Sequence, residues 1–192
     1  MVDRGDQGLA KDFAAALAMY ENAMDRVPDA KLRVAKFKAD KIDGRTRDPG
    51  HAIKLLQELI QAKPAPSGDI VAKAQYDYAA LLQRGEGTTQ NFAAAREAYE
   101  EAAKSGFALA FKALAEIYGS GQGVSRDHVA AYKWWNLAVA YWPPGIENKE
   151  IIAKRNEALK SLDVNQVLQA QKDAKDFADK FGLQSKTAIV WI

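Results

Sequence analysis

The residue types that most often carry out chemistry are sparse in this sequence of 192 residues. It contains two histidines, His51 and His128, and no cysteine. Neither histidine is followed three or four residues later by a second histidine or a carboxylate, the spacing that places two metal ligands on one face of a helix. The sequence therefore predicts no metal site and, without cysteine, no disulfide framework.

Sequence motifs for catalysis are equally few. Gly119, Gly121 and Gly123 lie between two predicted helices, whereas the glycines of a dinucleotide fingerprint follow a strand. Carboxylate pairs such as Glu100 and Glu101 lie on polar helix faces, and nothing distinguishes an acid from a base. Hydrolase and nucleotide-binding loop motifs are absent from the sequence. We therefore expect a protein that is not an enzyme and that holds no cofactor.

Gly123 belongs instead to a pattern that occurs four times. Each copy has a glycine, an Asp or Asn four residues later, an Ala four residues after that, and then two apolar positions. The Asp and Asn residues are 36, 43 and 36 residues apart, in the range of two-helix repeats that bury their apolar stripes by stacking. The copies are Gly8-Asp12-Ala16-Tyr20-Ala23, Gly44-Asp48-Ala52-Leu56-Leu59, Gly87-Asn91-Ala95-Tyr99-Ala102 and Gly123-Asp127-Ala131-Trp135-Ala138.

The Asp or Asn of each copy predicts the N-terminal cap of a repeat's second helix, because its side-chain oxygen accepts a hydrogen bond from a free backbone N–H. His128 follows the predicted cap Asp127, so we expect it to pack in the first helical turn and not to bind a ligand. The same position holds Phe13, Pro49 and Phe92 in the other copies.

The first helix of each repeat precedes the glycine loop. The clearest copies are Ala74-Tyr78-Ala79-Leu82 and Ala110-Leu114-Ala115-Tyr118. In the second repeat, Lys36 falls at the position of Ala79 and Ala115. Pro64 and Pro66 then predict a longer connection to the third repeat.

The repeat pattern stops after Ala138. A helix is predicted from about 148 to 161, and Asp163 with Gln166 three residues later predicts a capping box. A last helix, about 164 to 181, is predicted to end before Gly182. Its apolar stripe, with polar residues elsewhere, is typical of the terminal cap of a solenoid. The stripe consists of Val167, Ala170, Ala174 and Phe177.

The tryptophans and the apolar tail are the other large apolar features. Trp135 aligns with Tyr99 and Tyr20 and is predicted to lie in the core, with Trp134 packing between repeats. Trp142 and Trp191 have no repeat equivalents and are candidate binding anchors. We expect the apolar tail to be buried, either by folding back near Val167 and Phe177 or by self-association. The residues concerned are Ile189, Val190, Trp191 and Ile192.

The segment from Tyr118 to Asp127, with its three glycines, and the following Ala130 to Ala138 resemble a Sel-one-like repeat. Arg84-Gly85-Glu86-Gly87 with Asn91 repeats this pattern one period earlier, and weaker copies cover about 8 to 62. The resemblance implies an all-α fold, a right-handed α-solenoid of antiparallel, tetratricopeptide-like helix pairs, here with a C-terminal helical cap. It also implies a non-catalytic adaptor or scaffold, as in bacterial signalling or envelope processes.

We expect a single repeat domain over residues 1–192. Its predicted parts are a partial first repeat (1–28), a divergent second repeat (29–66), a third (67–106), a fourth (107–146), the capping helices (147–182) and the apolar tail (183–192). Residues 6–12 align with 121–127, so the chain is expected to begin inside a repeat, with upstream sequence removed.

The favoured function is the binding of a protein or peptide in the concave groove lined by the first helices. Two alternatives stay open, namely a self-associating envelope assembly element and a small-molecule-binding or enzymatic module. Alignment of the third and fourth repeats places Ala80 and Gly119 on the groove side with the predicted binding residues. The predicted binding residues are Lys73, Tyr76, Gln83, Leu109, Lys112 and Glu116.

Charge and hydropathy narrow the range of partners. Lys and Arg number 27 against 25 Asp and Glu, which gives a net charge of +2 without the basic clusters that nucleic-acid binding requires. No apolar run is long enough for membrane insertion. We therefore expect neither nucleic acid nor direct membrane insertion, and the sequence leaves the periplasm, secretion and the cytoplasm open.

Overall fold

The computed structural model describes residues 4–40, 47–143, 146 and 148–184, and for residues 4–13 it describes the backbone only. Within these ranges the chain forms nine α-helices and no strand. The helices are α1 (Arg4–Ala23), α2 (Pro28–Ala39), α3 (Pro49–Gln61), α4 (Gly68–Arg84), α5 (Phe92–Lys104), α6 (Ala108–Ser120), α7 (His128–Tyr141), α8 (Lys149–Leu159) and α9 (Val164–Lys180).

Three of the four predicted repeat caps are confirmed. In each, a side-chain Oδ1 atom accepts a hydrogen bond from a backbone N–H three residues later, which satisfies one free donor of the first turn. The pairs are Asp48 with His51 (2.9 Å), Asn91 with Ala94 (3.0 Å) and Asp127 with Ala130 (2.9 Å). The capping box of Asp163 and Gln166 at the start of α9 is also present, with both reciprocal hydrogen bonds formed.

The prediction of a cap at Asp12 is wrong. Helix α1 begins at Arg4 and runs through Asp12 to Ala23. In the loop that precedes α7, Gly121 adopts a left-handed backbone with φ of 75° and ends α6. Asp6 stands at the equivalent position near the N-terminus, and an L-residue avoids that conformation. Without the first loop glycine, the helix continues.

The second glycine of the α4–α5 loop and that of the α6–α7 loop each lie close to the helix start of the preceding repeat. A Cβ atom on Gly87 would lie 2.4 Å from the carbonyl carbon of Pro49, in the first turn of α3. A Cβ atom on Gly123 would lie 2.2 Å from Cβ of Phe92, in the first turn of α5. Both glycines also have positive φ, 73° and 70°. Only glycine fits because any side chain would overlap the neighbouring helix start.

His128 occupies a first-turn position that no glycine loop covers. It occupies the same first-turn position in α7 as Phe92 in α5, but its side chain is exposed. The prediction that His128 packs is therefore wrong. The reason is that the repeat pattern stops after α7, and α8 follows without a glycine loop to cover the site.

The chain divides into two compact units, Met1–Gln90 and Asn91–Ile192. In the first unit α2 packs on α1, α3 and α4, and α3 packs on α4. Its core includes the fully buried Val34 and Leu56. In the second unit α6 packs on α5 and α7, and α7 also packs on α8 and α9. The predicted repeat boundaries stay predictions.

The alignment that placed Lys36 of α2 at the position of Ala79 and Ala115 is wrong by one residue. Ala35, which is fully buried, takes the place of Ala79 and Ala115, and Lys36 points away from the core. The loop accounts for the shift. Asp48 donates its N–H to the carbonyl ten residues earlier, whereas Asp127 donates to the carbonyl nine residues earlier. One extra loop residue therefore displaces the whole helix pattern.

The predicted burial of the two α7 tryptophans is confirmed, and Trp134 packs within its own repeat and against the capping helix α9. Trp135 is 5% exposed, and Trp134 is equally buried. The Trp134 ring lies 6.0 Å from Phe111 of α6 and 5.0 Å from Phe177 of α9, measured between centroids. Trp142 is half-buried just after α7, and its Nε1 has no hydrogen-bond partner among the described residues.

The capping helices lie close to their predicted positions. On α9, Ala170 and Ala174 are fully buried, whereas Val167 and Phe177 are half-buried. Gly182 has a φ of 60° and ends the helix, with Leu183 donating its N–H to the carbonyl of Ala178 at 2.9 Å. The tail residues Ile189–Ile192 lie outside the described residues, so their burial stays a prediction.

We predict that Gly87→Ala and Gly123→Ala destabilise the protein more than Gly182→Ala does. All three glycines have positive φ, but a Cβ atom on Gly182 would meet nothing within 4 Å. Gly182→Ala therefore measures the backbone cost alone, and overlap should add about 1–3 kcal/mol at the other two sites. Urea unfolding followed by circular dichroism measures this difference, and equal losses at all three sites would contradict the close approach.

We also predict that Trp135→Ala costs about 3–5 kcal/mol of unfolding free energy, as expected for truncation of a buried aromatic side chain. The half-buried Trp142 provides the control, and Trp142→Ala should cost clearly less. Thermal and urea unfolding give both values. A Trp135→Ala variant as stable as the parent would mean that this ring is not part of the core.

Candidate functional site

A cavity of about 120 Å³ lies between α2 and α4, the first helices of two successive repeats. Its lining combines apolar residues such as Ala39 and Leu81 with one tyrosine, Tyr76. It also contains four charged residues: Lys36 and Asp40 from the end of α2, and Asp77 and Arg84 from α4. The cavity therefore offers an apolar floor together with groups that can bind a charge.

Helical spacing explains how α4 contributes to this site. Residues three, four and seven apart lie on one face of a helix, so Lys73, Tyr76, Asp77, Ala80 and Arg84 share a face. The neighbouring side of α4 carries Ala74 and Leu81, which belong to the buried core cluster that α4 shares with α2 and α3. Packing of that side against α2 and α3 thus fixes the direction of the candidate face.

Asp77 is the most perturbed titratable group of this cavity. Burial raises the pKa of its carboxyl from 3.8 to about 6, with Asp40 adding to the rise and with Lys36 and Arg84 opposing it. Asp77 forms no hydrogen bond or ion pair with the residues that the structure describes. Arg84 is already engaged by Glu86, at 3.1 Å from Nε to Oε2. The cavity thus holds a carboxylate that lacks a close cation.

The fourth repeat presents a different surface on α6. Leu109 is 37% exposed. Lys112 Nζ lies 3.9 Å from Glu116 and 3.7 Å from Glu150 of α8, so these residues form a local charge cluster. Burial raises the pKa of Glu116, which Lys112 opposes and Glu150 reinforces. Exposed ion pairs at these distances contribute little to stability, so the cluster can reorganise when a partner binds.

The structure groups the predicted binding residues in two sets. Tyr76 lines the α2–α4 cavity, together with Ala80. Lys73 is exposed on the same helix, and Gln83 is half-buried, with its carbonyl accepting a hydrogen bond from Gln90. The other set is that of α6, where Lys112 and Glu116 approach each other and Leu109 is exposed. A role in binding stays a prediction for all six.

Sequence reasoning missed Asp77 and Asp40. The available signal was that Asp77 follows Tyr76 directly and lies four residues after Lys73, so it belongs to the same helix face. Asp40 could not be assigned to the same cavity from the sequence, because the alignment of α2 with the first helices of the later repeats was wrong by one residue. Which side chains α2 and α4 bring together depends on packing between repeats.

The described residues contain no group of three or more His, Asp or Glu side chains that could hold a metal ion. His51 is half-buried and contributes its backbone N–H to the cap of α3.

Among the helices that the structure describes, none combines the length and hydropathy that spanning a bilayer requires.

Comparison with protein families identifies the repeats. The Sel1 repeat model matches residues 28–62, 72–107 and 112–140, which together make up more than half of the chain. The chain belongs to the Sel1 repeat family. These three Sel1 repeats correspond to the helix pairs α2–α3, α4–α5 and α6–α7. No match was found among the curated proteins.

Two solved structures with Sel1-type folds are similar to this chain. One is c5321, a protective antigen of uropathogenic Escherichia coli, at 20% identity and a TM-score of 0.52 over 91% of this chain. The alignment spans 44% of that antigen, so this chain is less than half as long as the antigen. The other is a Sel1 repeat protein from Oxalobacter formigenes, at 17% identity and a TM-score of 0.56, covering 89% of this chain and 73% of that protein.

These likenesses establish the fold as an all-α repeat solenoid of the Sel1 type. Sel1 repeats commonly serve as protein-interaction scaffolds. The α2–α4 cavity and the α6 face lie on the first helices of these repeats.

We predict that Asp77→Asn stabilises this Sel1 repeat protein at neutral pH. The pKa of Asp77 is about 6 in the folded state, whereas the ordinary pKa of an aspartate is 3.8, so ionisation opposes folding as the pH rises from about 4 to 6. Removing that charge should add about 1–3 kcal/mol at pH 7, because one pKa unit corresponds to about 1.4 kcal/mol.

Urea unfolding between about pH 3 and pH 8 measures the gain, which should fade as the pH falls from about 6 to about 3, where the carboxyl is mostly protonated in both states. Glu97→Gln is the control, because Glu97 is exposed on α5, and it should show no such trend. A gain that is independent of pH would contradict the assignment to Asp77 ionisation.

Proposed function

We propose that this protein is a non-catalytic scaffold that binds a protein or peptide partner through the first helices of its Sel1 repeats. The observation that carries the proposal is the unpaired Asp77 carboxylate beside Tyr76 in the α2–α4 cavity. Burying such a charge lowers the free energy of unfolding. Groups that are retained in a protein despite this cost are commonly found at binding sites.

The chemistry of the cavity favours a basic side chain of the partner. Arg84 is engaged by Glu86, which leaves Asp40 and Asp77 against Lys36 alone. A Lys or Arg side chain placed between the two carboxylates would form charge-assisted hydrogen bonds and would favour the ionised form of Asp77. Tyr76 and Ala80 beside them offer apolar contact for a neighbouring residue of the same peptide.

The size of the cavity supports a side chain as its occupant. Pockets for whole small molecules usually enclose about 300–1,000 Å³, whereas this cavity has about 120 Å³. A peptide that inserts one side chain, with the rest of its length on the helix surface, fits such a volume. The same face of α4 carries the exposed Lys73, which can pair with an acidic residue of the peptide.

The α6 surface is a second contact region in this proposal. Leu109 offers apolar contact there, and Lys112 and Glu116 can exchange their mutual ion pair for groups of a partner. A role in bacterial signalling or envelope processes is proposed on the basis of the family, with similar folds found in proteins of Escherichia coli and Oxalobacter formigenes.

The proposal is tested with an array of short immobilised peptides that carry a Lys or Arg beside an aromatic or aliphatic residue. Two matched arrays replace the basic residue with Gln or with Glu. We expect binding on the basic array only. The best peptides are then measured in solution by fluorescence anisotropy with the parent protein, Asp77→Asn and Tyr76→Ala, and melting curves verify that each variant folds.

Asp77→Asn should weaken binding about tenfold, which corresponds to about 1.4 kcal/mol for the loss of one charge-assisted contact. Lys172→Gln, on the exposed surface of α9, is the control and should bind like the parent. Equal binding of the basic and Gln peptides, or full affinity in Asp77→Asn, would overturn the proposal.

Binding should also depend on pH in a defined direction. A bound cation favours ionised Asp77, so complex formation releases a proton from this carboxyl below its pKa of about 6. Affinity should therefore rise between about pH 5 and pH 7 and level off above that range. The dependence should be absent in Asp77→Asn, and a dependence that persists there would assign the titration to another group.

A further inference from the structure

A second cavity, of about 420 Å³, lies in the Asn91–Ile192 unit between α5, α7 and α9. It is lined by the second helices of two repeats, by Tyr118 of α6 and by the last helix, so its helices differ from those of the α2–α4 cavity. Aromatic rings and lysines dominate its lining, and we call it the aromatic–lysine cleft. Its principal residues are Lys104, Lys133, Trp134, Phe177, Lys180 and Phe181.

The rings of the cleft form a continuous cluster. Trp134 and Phe177 meet edge to face with centroids 5.0 Å apart, and Phe177 and Phe181 lie 4.8 Å apart. Trp134 is buried, whereas Phe177 and Phe181 are half-buried and face the cavity. A ligand in the cleft therefore meets the two phenylalanine rings, which favour an aromatic or aliphatic group.

The lysines lie over these rings. Lys133 Nζ is 4.4 Å from the centroid of Trp134 and 5.2 Å from that of Phe177. Lys180 and Lys104 lie 5.4 Å and 5.8 Å from the centroid of Phe181. Such cation–π contacts hold the ammonium groups at the rim without neutralising their charge.

The acidic groups of the cleft are already engaged. Glu100 pairs with Arg96 at 2.9 Å and accepts a hydrogen bond from the hydroxyl of Tyr118 at 3.4 Å. Asp127 accepts the capping hydrogen bond from Ala130. Lys104 pairs with Glu101 of its own helix. Within the described part of the chain, Lys133 and Lys180 form no ion pair, so neither has a carboxylate in direct contact, although Asp173 and Glu100 act on Lys133 from a longer distance.

The environment of Lys133 also favours the binding of an anion. Burial lowers the pKa of its ammonium group, and the negative charges of Asp173 and Glu100 only partly oppose the effect. A partly desolvated cation gains more from an incoming anion than an exposed one does, because water screens the attraction less.

We propose that the aromatic–lysine cleft binds an acidic segment of a partner protein, with carboxylates on Lys133 and Lys180 and an adjacent aromatic or aliphatic side chain on Phe177 and Phe181. The charge of the cleft selects against basic segments, which the α2–α4 cavity favours. A volume of about 420 Å³ is within the range of pockets that hold a ligand group of this size. The protein would thus bind two segments of opposite charge at separate sites.

The test uses arrays of short peptides in which Asp or Glu residues flank a central Trp, Phe or Leu. One matched array replaces the acids with Asn and Gln, and another replaces them with Lys and Arg. We expect the 192-residue chain to bind the acidic array, and binding should weaken as salt is added. Failure to bind any acidic peptide, or equal binding to the Asn and Gln array, would overturn the proposal.

The best acidic peptides are then measured by fluorescence anisotropy with Lys133→Gln and Lys180→Gln. Each variant should lose about tenfold in affinity, and Lys172→Gln, an exposed lysine on another part of α9, should bind like the parent. Lys180 is exposed, so its variant stays informative if Lys133→Gln folds poorly. Unchanged affinity in Lys180→Gln would overturn the proposal.

The variants also separate this site from the α2–α4 cavity. Asp77→Asn should leave acidic peptides bound with full affinity, and Lys133→Gln should leave basic peptides bound. Loss of acidic-peptide binding in Asp77→Asn would show that the acidic segments do not occupy the aromatic–lysine cleft and would overturn this inference.

Discussion

The contact on which the repeat architecture depends is the close approach of a loop glycine to the helix start of the preceding repeat. Gly87 meets Pro49, and Gly123 meets Phe92, at distances that leave no room for a side chain. Side-chain caps at Asp48 and Asn91 fix those same helix starts. At these two junctions one small residue makes the contact with the preceding repeat, and the backbone conformation and the space between helices select glycine together.

This constraint also explains the two ends of the repeat array. His128 occupies the first-turn position of α7 and is exposed, because no further glycine loop follows that helix. Near the N-terminus, Asp6 replaces the glycine that ends a first helix, so α1 continues through Asp12. The capping box at Asp163 then begins a helix whose alanines pack on α7 and whose outer face is polar. Such a terminal helix protects the last repeat from solvent.

The binding surfaces that we propose lie on helix faces that line the two cavities. On the first helices, packing against the neighbouring repeat brings Asp40 of α2 and Asp77 of α4 to one cavity, where burial raises the pKa of Asp77. On the second helices and α9, it brings Lys133 and Lys180 beside Phe177 and Phe181. The opposite charge preferences that we propose for these sites follow from which charged groups lack a counter-ion in direct contact. In this proposal, residues that differ between repeats provide the chemistry of binding, whereas residues that recur provide the fold.

The sequence alone determined the repeat period, the caps at Asp48, Asn91 and Asp127, the burial of Trp134 and Trp135, and the ends of α9. These features depend on local hydrogen bonds or on helical periodicity, which a pattern of residue types records directly. Tertiary structure decided the register of α2, the continuation of α1 through Asp12 and the exposure of His128. It also decided the grouping of Asp40 with Asp77 and of Lys133 with Phe181. These features depend on one extra loop residue and on contacts between elements that are distant in sequence. Side-chain spacing within a single helix carries no information about the neighbour against which that helix packs.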